Sequence, residues 1–495
     1  MDDRSFFGHP RGLSTLFFTE MWERFSYYGM RALLILFMTA PVAAGGLGFD
    51  TAVAGAIYGL YTSSVYMACL PGGWIADRLV GPRRAVLYGG ILIASGHFSM
   101  AFPSIATFYV GLTLIVLGTG LLKGNVAVVV GYLYSKEDQR RDAGFSFFYM
   151  GINLGAFFAP IVTGFLAQDP RFKAFLTTLG VDPRDAWHWG FGAAGVGMVF
   201  GLVQYVLGAR HLGDSGLRPS QPLDAGTKRL AGGAAAACLL LTLALVSGIV
   251  PVTAKQIADG AGVILLGGTA VFFGWLFFSS GWSPLERRRL YAIALLFLAA
   301  TLFWSLFEQA GSTLNLFGDR ASRSDVFGVT FPSSYFQSVQ PILIFTFAPV
   351  FAWLWFKLGS REPSSPTKFS LGLFCAGGGY AVVAVAATFA ASGARVSPMW
   401  LVTTYALHSF GELCLSPVGM SAMTKLTPAR IVGLIMGVWY LSISIGNFIG
   451  GRISSLYGTM SLPSLFGVIA VVGMAGGAAM ILATPPIKRM MGDVN

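Results

Sequence analysis

Charged residues are scarce in this 495-residue sequence: Lys, Arg, Asp and Glu make up only 11% of it, whereas soluble domains carry about 25%. No polar, charge-rich stretch is long enough to cover a soluble domain, although two or three would be expected at this length. Hydrophobic residues make up 55% of the chain, and the mean hydropathy is +0.67. The composition therefore argues against a soluble protein and indicates an integral membrane protein.

The sequence also lacks the usual motifs of metal, cofactor and ATP chemistry. Its four cysteines lie singly in apolar stretches, its five histidines form no i, i+4 pair, and no GxxxxGK[ST] phosphate loop is present. The first ten residues do not resemble a removable signal peptide, so we expect the first apolar run to remain as a span. We expect no metal site, cofactor, ATPase motor or catalytic residue, and therefore no enzyme.

Apolar runs of about 20 residues, enough to cross a bilayer, predict fourteen transmembrane helices. Six lie near 12–40, 52–78, 84–101, 105–134, 142–168 and 187–209, and six near 287–314, 333–358, 367–391, 398–426, 430–457 and 462–486. Two additional runs lie near 229–250 and 257–280. We therefore predict an N-terminal six-helix bundle (1–210), a cytoplasmic linker with two additional transmembrane helices (211–285) and a C-terminal six-helix bundle (286–495).

The basic residues in short loops predict the orientation of these helices. The loops on the side of the termini hold 22 Lys and Arg residues, and the opposite loops hold 7. Because basic loops stay in the cytoplasm, both termini are expected there, in a multi-pass protein of the plasma (inner) membrane. The same bias accounts for the net charge of +11 without any nucleic acid as a partner.

Charged residues at membrane depth mark the candidate functional site, because unpaired charges there are costly. In the first span Glu20, Glu23, Arg24, Tyr27 and Arg31 share one helix face, and Lys123 lies in the fourth span. Two structural interpretations compete with a functional role for these charged residues. The first-span charges can form an ion pair that only locks helices together, and Lys123 can balance one of the carboxylates.

The second half contributes acids in place of cations. Trp304, Glu308 and Asn315 recur at i, i+4 and i+11 and should share one face of a continuous seventh span. An acid among aromatic side chains is well placed to take up a proton, and so is Glu412 in the tenth span, one turn after His408. The competing interpretation for Glu412 is a helix-packing hydrogen bond of the neutral acid to His408 or to a carbonyl.

Cations in one half and acids in the other suit a zwitterionic solute, with its carboxylate near Arg24, Arg31 and Lys123. Its ammonium would lie near Glu308, where Trp304, Trp439 and Tyr440 supply cation–π faces. A proton on Glu20 or Glu23 would free Arg24 for the solute, and loss of that proton would restore the ion pair. The residues therefore predict proton-coupled transport.

Three motifs now make the chain recognisable. Glu20-x-x-Glu23-Arg24-Phe25-x-Tyr27-Tyr28-Gly29-x-Arg31 and Phe148-Tyr149-x-x-Ile152-Asn153-x-Gly155 resemble the helix 1 and helix 5 signatures of the proton-dependent oligopeptide transporters. Residues 73–83 resemble the loop between helices 2 and 3 of the wider major facilitator superfamily. The resemblance implies an all-α membrane protein with the major facilitator superfamily fold: 12 core helices in two six-helix bundles and 2 additional central helices, 14 in total.

The resemblance further implies a symporter, driven by the proton gradient, that imports di- and tripeptides by alternating access, works as a monomer and needs no cofactor. Glu20, Glu23, Arg24, Lys123 and Glu308 would couple the proton. The implied substrate-binding residues are Arg24, Tyr28, Arg31, Tyr66, Lys123, Tyr149, Asn153, Trp304, Glu308, Gln340, Glu412, Trp439 and Tyr440.

Three positions depart from the family pattern: Gln340 replaces an expected Asn, Phe307 a second acid found in some members, and Ile443 a Ser found in some relatives. These changes bear on side-chain preference. The alternative function is transport of another small solute, such as an amino acid, nitrate or a drug-like compound, on the same fold.

Overall fold

The computed structural model of the protein describes residues 5–135, 138–224, 253–428 and 431–492, with isolated residues between 226 and 244. The chain forms two compact units. Unit 1 comprises Met1–Gly48 and Ser64–Thr253, and unit 2 comprises Phe49–Ser63 and Ala254–Asn495. Each unit is almost entirely helical, as expected where backbone groups in a bilayer must be satisfied within the segment itself.

Unit 1 is built from long helices joined by short loops. Its helices are α1 (Arg11–Thr39), α3 (Cys69–Ile75), α4 (Pro82–Met100), α5 (Ile105–Gly131), α6 (Arg141–Gln168), α7 (Pro170–Thr178) and α8 (Ala186–Gly208), and it shares α2 (Thr51–Met67) with unit 2. A π-helical turn, Ala76–Val80, follows α3, and 3-10 turns lie at Val42–Ala44, Pro183–Asp185 and Ala209–Leu212.

Unit 2 follows the same plan. Its helices are α9 (Ala254–Phe278), α10 (Pro284–Phe307), α11 (Thr313–Arg320), α12 (Val339–Leu358), α13 (Ser365–Ala390), α14 (Met399–Leu426), α15 (Val432–Ser454) and α16 (Leu462–Met491). Strands β1 (Asp325–Val326) and β2 (Val329–Thr330) form a small antiparallel hairpin. Three 3-10 turns complete the unit, at Glu308–Gly311, Ser333–Ser338 and Gly359–Arg361.

The helices agree with the spans predicted from the apolar runs. Within the described ranges, ten segments are long and apolar enough to cross a membrane. The helices α1, α4 and α14, with 29, 19 and 28 residues, lie on three further predicted spans. Of the two additional runs, the second corresponds to α9, and the run near 229–250 lies outside the described ranges except for isolated residues.

Two features differ from the sequence-based prediction. The seventh span is not one continuous helix, because α10 ends at Phe307 and a 3-10 turn separates it from α11. The short helix α7 was not predicted, although Asp169 followed by Pro170 is a typical helix start. The Asp169 side chain accepts a hydrogen bond from the backbone N–H of Arg171, and its hydrogen bonds with the Arg171 guanidinium lower the pKa of the Asp169 carboxyl.

Glycines allow α4 and α5 to approach closely. A Cβ at Gly118 would lie 2.6 Å from the carbonyl oxygen of Gly89 and 2.8 Å from the Ile93 side chain. We predict that Gly118→Val lowers the melting temperature of the purified protein by about 5 °C, because overpacking costs about 1–3 kcal/mol. Gly124→Val on the same helix is the control, since a Cβ there meets nothing within 4 Å. Equal melting temperatures for the two variants would contradict this interpretation of the contact.

Candidate functional site

The first part of the candidate site is an ion-pair cluster on α1. The Arg24 guanidinium Nε lies 3.1 Å from Oε1 of Glu20 and also contacts the Glu23 carboxylate. All three residues are buried, with at most 3% of each exposed. Among the described residues, no hydrogen bond reaches Oε2 of Glu20. The cluster therefore holds one shared cation between two carboxylates, and Glu20 keeps an oxygen available for a proton.

Aromatic rings connect Lys123 of α5 to this cluster. The Lys123 ammonium lies 3.7 Å from the centroid of the Tyr66 ring and 5.9 Å from that of Tyr27. The Arg24 guanidinium lies 5.6 Å from the same Tyr27 ring centroid. Because cations within about 6 Å of an aromatic face are attracted to it, Tyr27 and Tyr66 hold two like charges near one another. Tyr27 was predicted to lie on this helix face but was not among the predicted binding residues.

The helix 5 signature packs against the same turn of α1. A Cβ at Gly155 would lie 3.1 Å from the Cβ of Arg24 and 3.0 Å from the backbone nitrogen of Phe25. Asn153, two residues earlier, is buried, and its side chain donates to the carbonyl oxygen of Tyr149 at 3.1 Å. Tyr149 is 45% exposed. The two signatures, more than a hundred residues apart in sequence, are thus brought to one place in unit 1.

The cluster carries an excess of positive charge. Arg31, one turn beyond Tyr27, is buried, and its guanidinium lies 5.8 Å from the centroid of the Tyr28 ring. With Arg24 and Lys123, three cations stand against the two carboxylates of Glu20 and Glu23. Such an arrangement can bind an anionic group, and protonation of a carboxylate increases the excess.

The second part of the site lies in unit 2, around the 3-10 turn that starts at Glu308. Trp304 lies one turn before Glu308, and its ring packs edge-on against Trp439 with centroids 6.3 Å apart. Phe307 packs against Trp304 at 5.4 Å and lies 6.4 Å from the His408 ring. Glu308 is only 5% exposed, so its carboxyl group is enclosed within an aromatic environment.

Glu412 of α14 belongs to the same region, because it lies one turn after His408, whose ring centroid is 6.4 Å from that of Phe307. Among the described residues, His408 forms no hydrogen bond with Glu412. Nε2 of His408 donates to the carbonyl oxygen of Ala376 at 3.2 Å. No hydrogen bond from the described residues reaches Nδ1 of His408 or Oε2 of Glu412. The alternative that the neutral Glu412 forms a packing hydrogen bond with His408 is therefore not supported, and the alternative of a backbone carbonyl partner stays open. Two neighbouring carboxyl groups among aromatic rings suit a cation or a proton.

The break in the seventh span separates residues that were predicted to share one helix face. Asn315 lies on α11, after the turn, whereas Trp304 lies on α10, so the predicted i, i+11 relation does not apply. The turn is held by Gln337, whose side chain donates to the carbonyl oxygen of Ala310 at 2.6 Å. Ser312, Thr313 and Ser454 also form a chain of hydroxyl hydrogen bonds of 2.7–2.8 Å. Sequence analysis did not predict these contacts.

Two further candidate residues, Gln340 and Tyr440, lie in unit 2. Gln340 is the second residue of α12 and Tyr440 lies on α15; both are half-buried. Ile443, one turn after Trp439, is apolar and buried.

The described part of the chain contains no group of three or more His, Cys, Asp or Glu residues placed to hold a metal ion.

Comparison with known proteins places the chain in a family. The sequence model of the POT family matches residues 83–469. The chain is 42% identical to the uncharacterized transporter YclF of Bacillus subtilis over 99% of this chain and 97% of YclF, and 38% identical to a di-/tripeptide transporter of Lactococcus lactis over 100% and 99%. A crystal structure of a peptide transporter POT in complex with sulfate has a TM-score of 0.90 and 41% identity, and the match covers 98% of this chain and 97% of that one. The resemblance noted in the sequence is confirmed: this chain is a multi-pass membrane transporter with the major facilitator superfamily fold, not an enzyme, and it belongs to the POT family.

Proposed function

We propose that the protein is a proton-coupled symporter that imports di- and tripeptides by alternating access. The proposal is carried by one observation: Arg24 is shared between Glu20 and Glu23 in a buried cluster that also contains Lys123. The chain is similar to a di-/tripeptide transporter of Lactococcus lactis, and this cluster would serve to bind peptides in this protein.

The peptide carboxylate would bind to Arg24, Arg31 and Lys123, with Tyr28, Tyr66, Tyr149 and Asn153 around it. A guanidinium can hold a carboxylate with two parallel hydrogen bonds, which fixes the orientation of the ligand. The peptide ammonium would bind near Glu308 and Glu412, where Trp304, Trp439, Tyr440 and Gln340 contribute to the pocket. Because Phe307 and Ile443 add apolar surface there, apolar side chains should be favoured.

Proton coupling would follow from competition for Arg24. While Glu20 and Glu23 are both ionised, they hold Arg24 in the ion pairs seen in the structure. A proton on either carboxylate weakens its hold, so Arg24 becomes available to the peptide. Loss of that proton restores the ion pair and favours release. Lys123 and Glu308 would also take part in proton coupling, because their charges would respond to the gain and loss of this proton. The proton gradient is the only energy source required, and we propose no cofactor.

We further propose that the protein lies in the plasma (inner) membrane with both termini in the cytoplasm and works as a monomer. The orientation rests on the 22 to 7 distribution of basic residues between the two sides.

Uptake into liposomes tests the substrate directly. Purified protein is reconstituted, the outside is made acidic, and uptake of labelled alanine dipeptide is followed with tripeptide, free alanine or nitrate as unlabelled competitors. Concentrative uptake that tripeptide blocks, but alanine and nitrate do not, is the expected result. Competition by alanine or nitrate, or no uptake by folded protein, would support the alternative that the fold carries another small solute.

Removal of the additional helix pair should spare transport. Only 17% of the residues in the most apolar part of α9 are buried, against 72% in the most apolar part of the span Pro284–Arg320. Its contacts include an ion pair between Asp259 and Arg452 and a ring contact of Phe273 with Phe297, neither of which belongs to the two clusters. Replacing residues 229–280 by a short linker should leave the dipeptide uptake rate within about twofold, a change worth less than 1 kcal/mol. A folded but inactive deletion variant would show that the pair is required.

A further inference from the structure

An apolar groove of about 980 Å³ runs along unit 1 between α6 and α8. Its floor is formed by Trp22 and Phe25 of α1 and by Gly192 of α8, and its walls include Phe158 and Val196, which are 48% and 45% exposed. None of the charged residues of the α1 cluster lines it. The groove is therefore distinct from the candidate transport site, and in a membrane its open side faces acyl chains.

The length of the groove exceeds the depth of one lipid leaflet. Its lining extends from Asp185, just before α8, to Phe200 on α8, a rise of about 22 Å at 1.5 Å per helical residue. Half of the hydrocarbon core of a bilayer is about 15 Å thick. A ligand that fills the groove must therefore combine a long apolar part with a part at the polar surface of the membrane.

The two ends of the groove differ in chemistry. At one end Trp22 and Phe200 pack with ring centroids 5.2 Å apart, and the surface is apolar. At the other end the lining includes Asp185 and His188, beside an aromatic pair of Phe172 and Trp189 at 6.1 Å. An ionisable carboxylate and an imidazole are costly in the hydrocarbon core and are favoured at the membrane interface. The polar end therefore corresponds to the headgroup region.

The polar groups at this end accept hydrogen bonds. Nδ1 of His188 donates to the carbonyl oxygen of Met100 at 3.0 Å, so in the neutral ring Nε2 is an acceptor. The nearby Arg184 guanidinium is engaged by Asp182, at 2.5 Å. A carboxylate and an imidazole acceptor together suit a primary ammonium group, which carries three N–H donors. They repel an anionic headgroup, and they cannot form hydrogen bonds with a quaternary ammonium, which lacks N–H groups.

We propose that this groove binds one phospholipid with a primary-amine headgroup, with an acyl chain along the floor and the ammonium group between Asp185 and His188. Phosphatidylethanolamine is the probe of this chemistry. Binding of the lipid does not depend on which solute the protein carries.

Native mass spectrometry of the full chain in detergent tests the proposal. Phosphatidylethanolamine, phosphatidylcholine and phosphatidylglycerol are added in equal amounts, and the retained lipid is counted for each variant. We expect one phosphatidylethanolamine per chain, favoured about tenfold over the other two, as one charged hydrogen bond would produce. Equal retention of the three lipids by the wild-type protein would overturn the proposed headgroup chemistry.

Gly192→Leu tests the floor of the groove. A Cβ at Gly192 meets only the Ala101 methyl carbon, at 3.6 Å, so the longer side chain enters the groove without a backbone clash. Retention of the lipid should fall about tenfold, while Gly267→Leu on α9, where a Cβ meets nothing within 4 Å, retains it. Should Gly192→Leu fail to fold, Val196→Trp in the groove and Val203→Trp outside it form a second pair. Undiminished retention by folded Gly192→Leu or Val196→Trp would refute the site.

Asp185→Asn tests the headgroup contact. The variant should still retain lipid, but it should lose most of its preference for phosphatidylethanolamine over phosphatidylcholine. Asp142→Asn, in the first turn of α6 and outside the groove lining, carries the same change of charge and should keep the preference. An unchanged preference in Asp185→Asn would assign the selectivity to another group and contradict the proposed role of this carboxylate.

Discussion

Arg24→Gln is expected to reduce dipeptide transport by at least about 100-fold, in uptake and in exchange alike. The guanidinium of Arg24 pairs with both Glu20 and Glu23, and only 3% of the residue is exposed. Its removal leaves two buried carboxylates without their shared cation, and breaking a buried pair costs about 3–5 kcal/mol. It also removes a group proposed to bind the peptide carboxylate. The measurement is exchange of labelled alanine dipeptide across liposomes loaded with unlabelled dipeptide.

Two variants make this prediction specific. Arg171→Gln removes an equal charge from unit 1, but the Arg171 side chain is 74% exposed and pairs with Asp169 at the start of α7. It should transport within about twofold of the wild-type protein, since exposed ion pairs contribute about 1 kcal/mol or less. Arg24→Lys keeps the charge without the planar fork of the guanidinium and should retain partial exchange. Exchange by folded Arg24→Gln at the rate of the Arg171 control would remove Arg24 from the mechanism.

Glu23→Gln is expected to abolish accumulation while exchange continues. The amide resembles a protonated carboxyl group but cannot release a proton, so Arg24 stays available to the peptide in every step. For one coupled proton, a gradient of two pH units supports about a 100-fold accumulation, since each unit is worth about 1.4 kcal/mol. The variant should reach an accumulation ratio of about 1 under the same gradient, with measurable exchange.

Glu286→Gln is the matched control for this second prediction. Glu286 belongs to a capping box with Ser283 at the start of α10, and a glutamine preserves that motif. The control should accumulate dipeptide as the wild-type protein does. Undiminished pH-driven accumulation by Glu23→Gln would mean that Glu23 does not carry the coupled proton, whatever its exchange rate.

The sequence was sufficient to predict the helices and the α1 cluster for clear physical reasons. A bilayer requires long apolar segments with internal hydrogen bonds, so runs such as the one in α5 mark spans without tertiary information. The helical period predicted the charged face of α1, because the spacing of Glu20, Arg24 and Arg31 puts them on one side of the helix. The ion pairs of Arg24 in the structure are the direct consequence of that spacing.

The interruption of the seventh span could not be predicted in the same way. The 3-10 turn Glu308–Gly311 is held by Gln337 and lies next to hydroxyl contacts that reach Ser454, 142 residues beyond Ser312. Local periodicity contains no information about such distant partners. The prediction that Trp304 and Asn315 share one face was therefore wrong.

The environment of Lys123 was also beyond local patterns. Its small neighbours in sequence predicted close helix packing, and its positive charge predicted a carboxylate nearby. The structure adds that Lys123 lies over the Tyr66 ring at 3.7 Å and near Tyr27, on two other helices. Only the packing of α1, α2 and α5 within unit 1 determines which aromatic residues meet this ammonium group.

Peptide-driven proton movement tests the central claim most directly. Liposomes that contain the protein and an internal pH dye are prepared with equal pH on both sides and with the membrane potential clamped, and alanine dipeptide is then added outside. Proton coupling predicts that the lumen becomes acidic in proportion to the dipeptide gradient, and that Glu23→Gln liposomes do not acidify. Dipeptide entry without acidification in the wild-type protein would contradict symport.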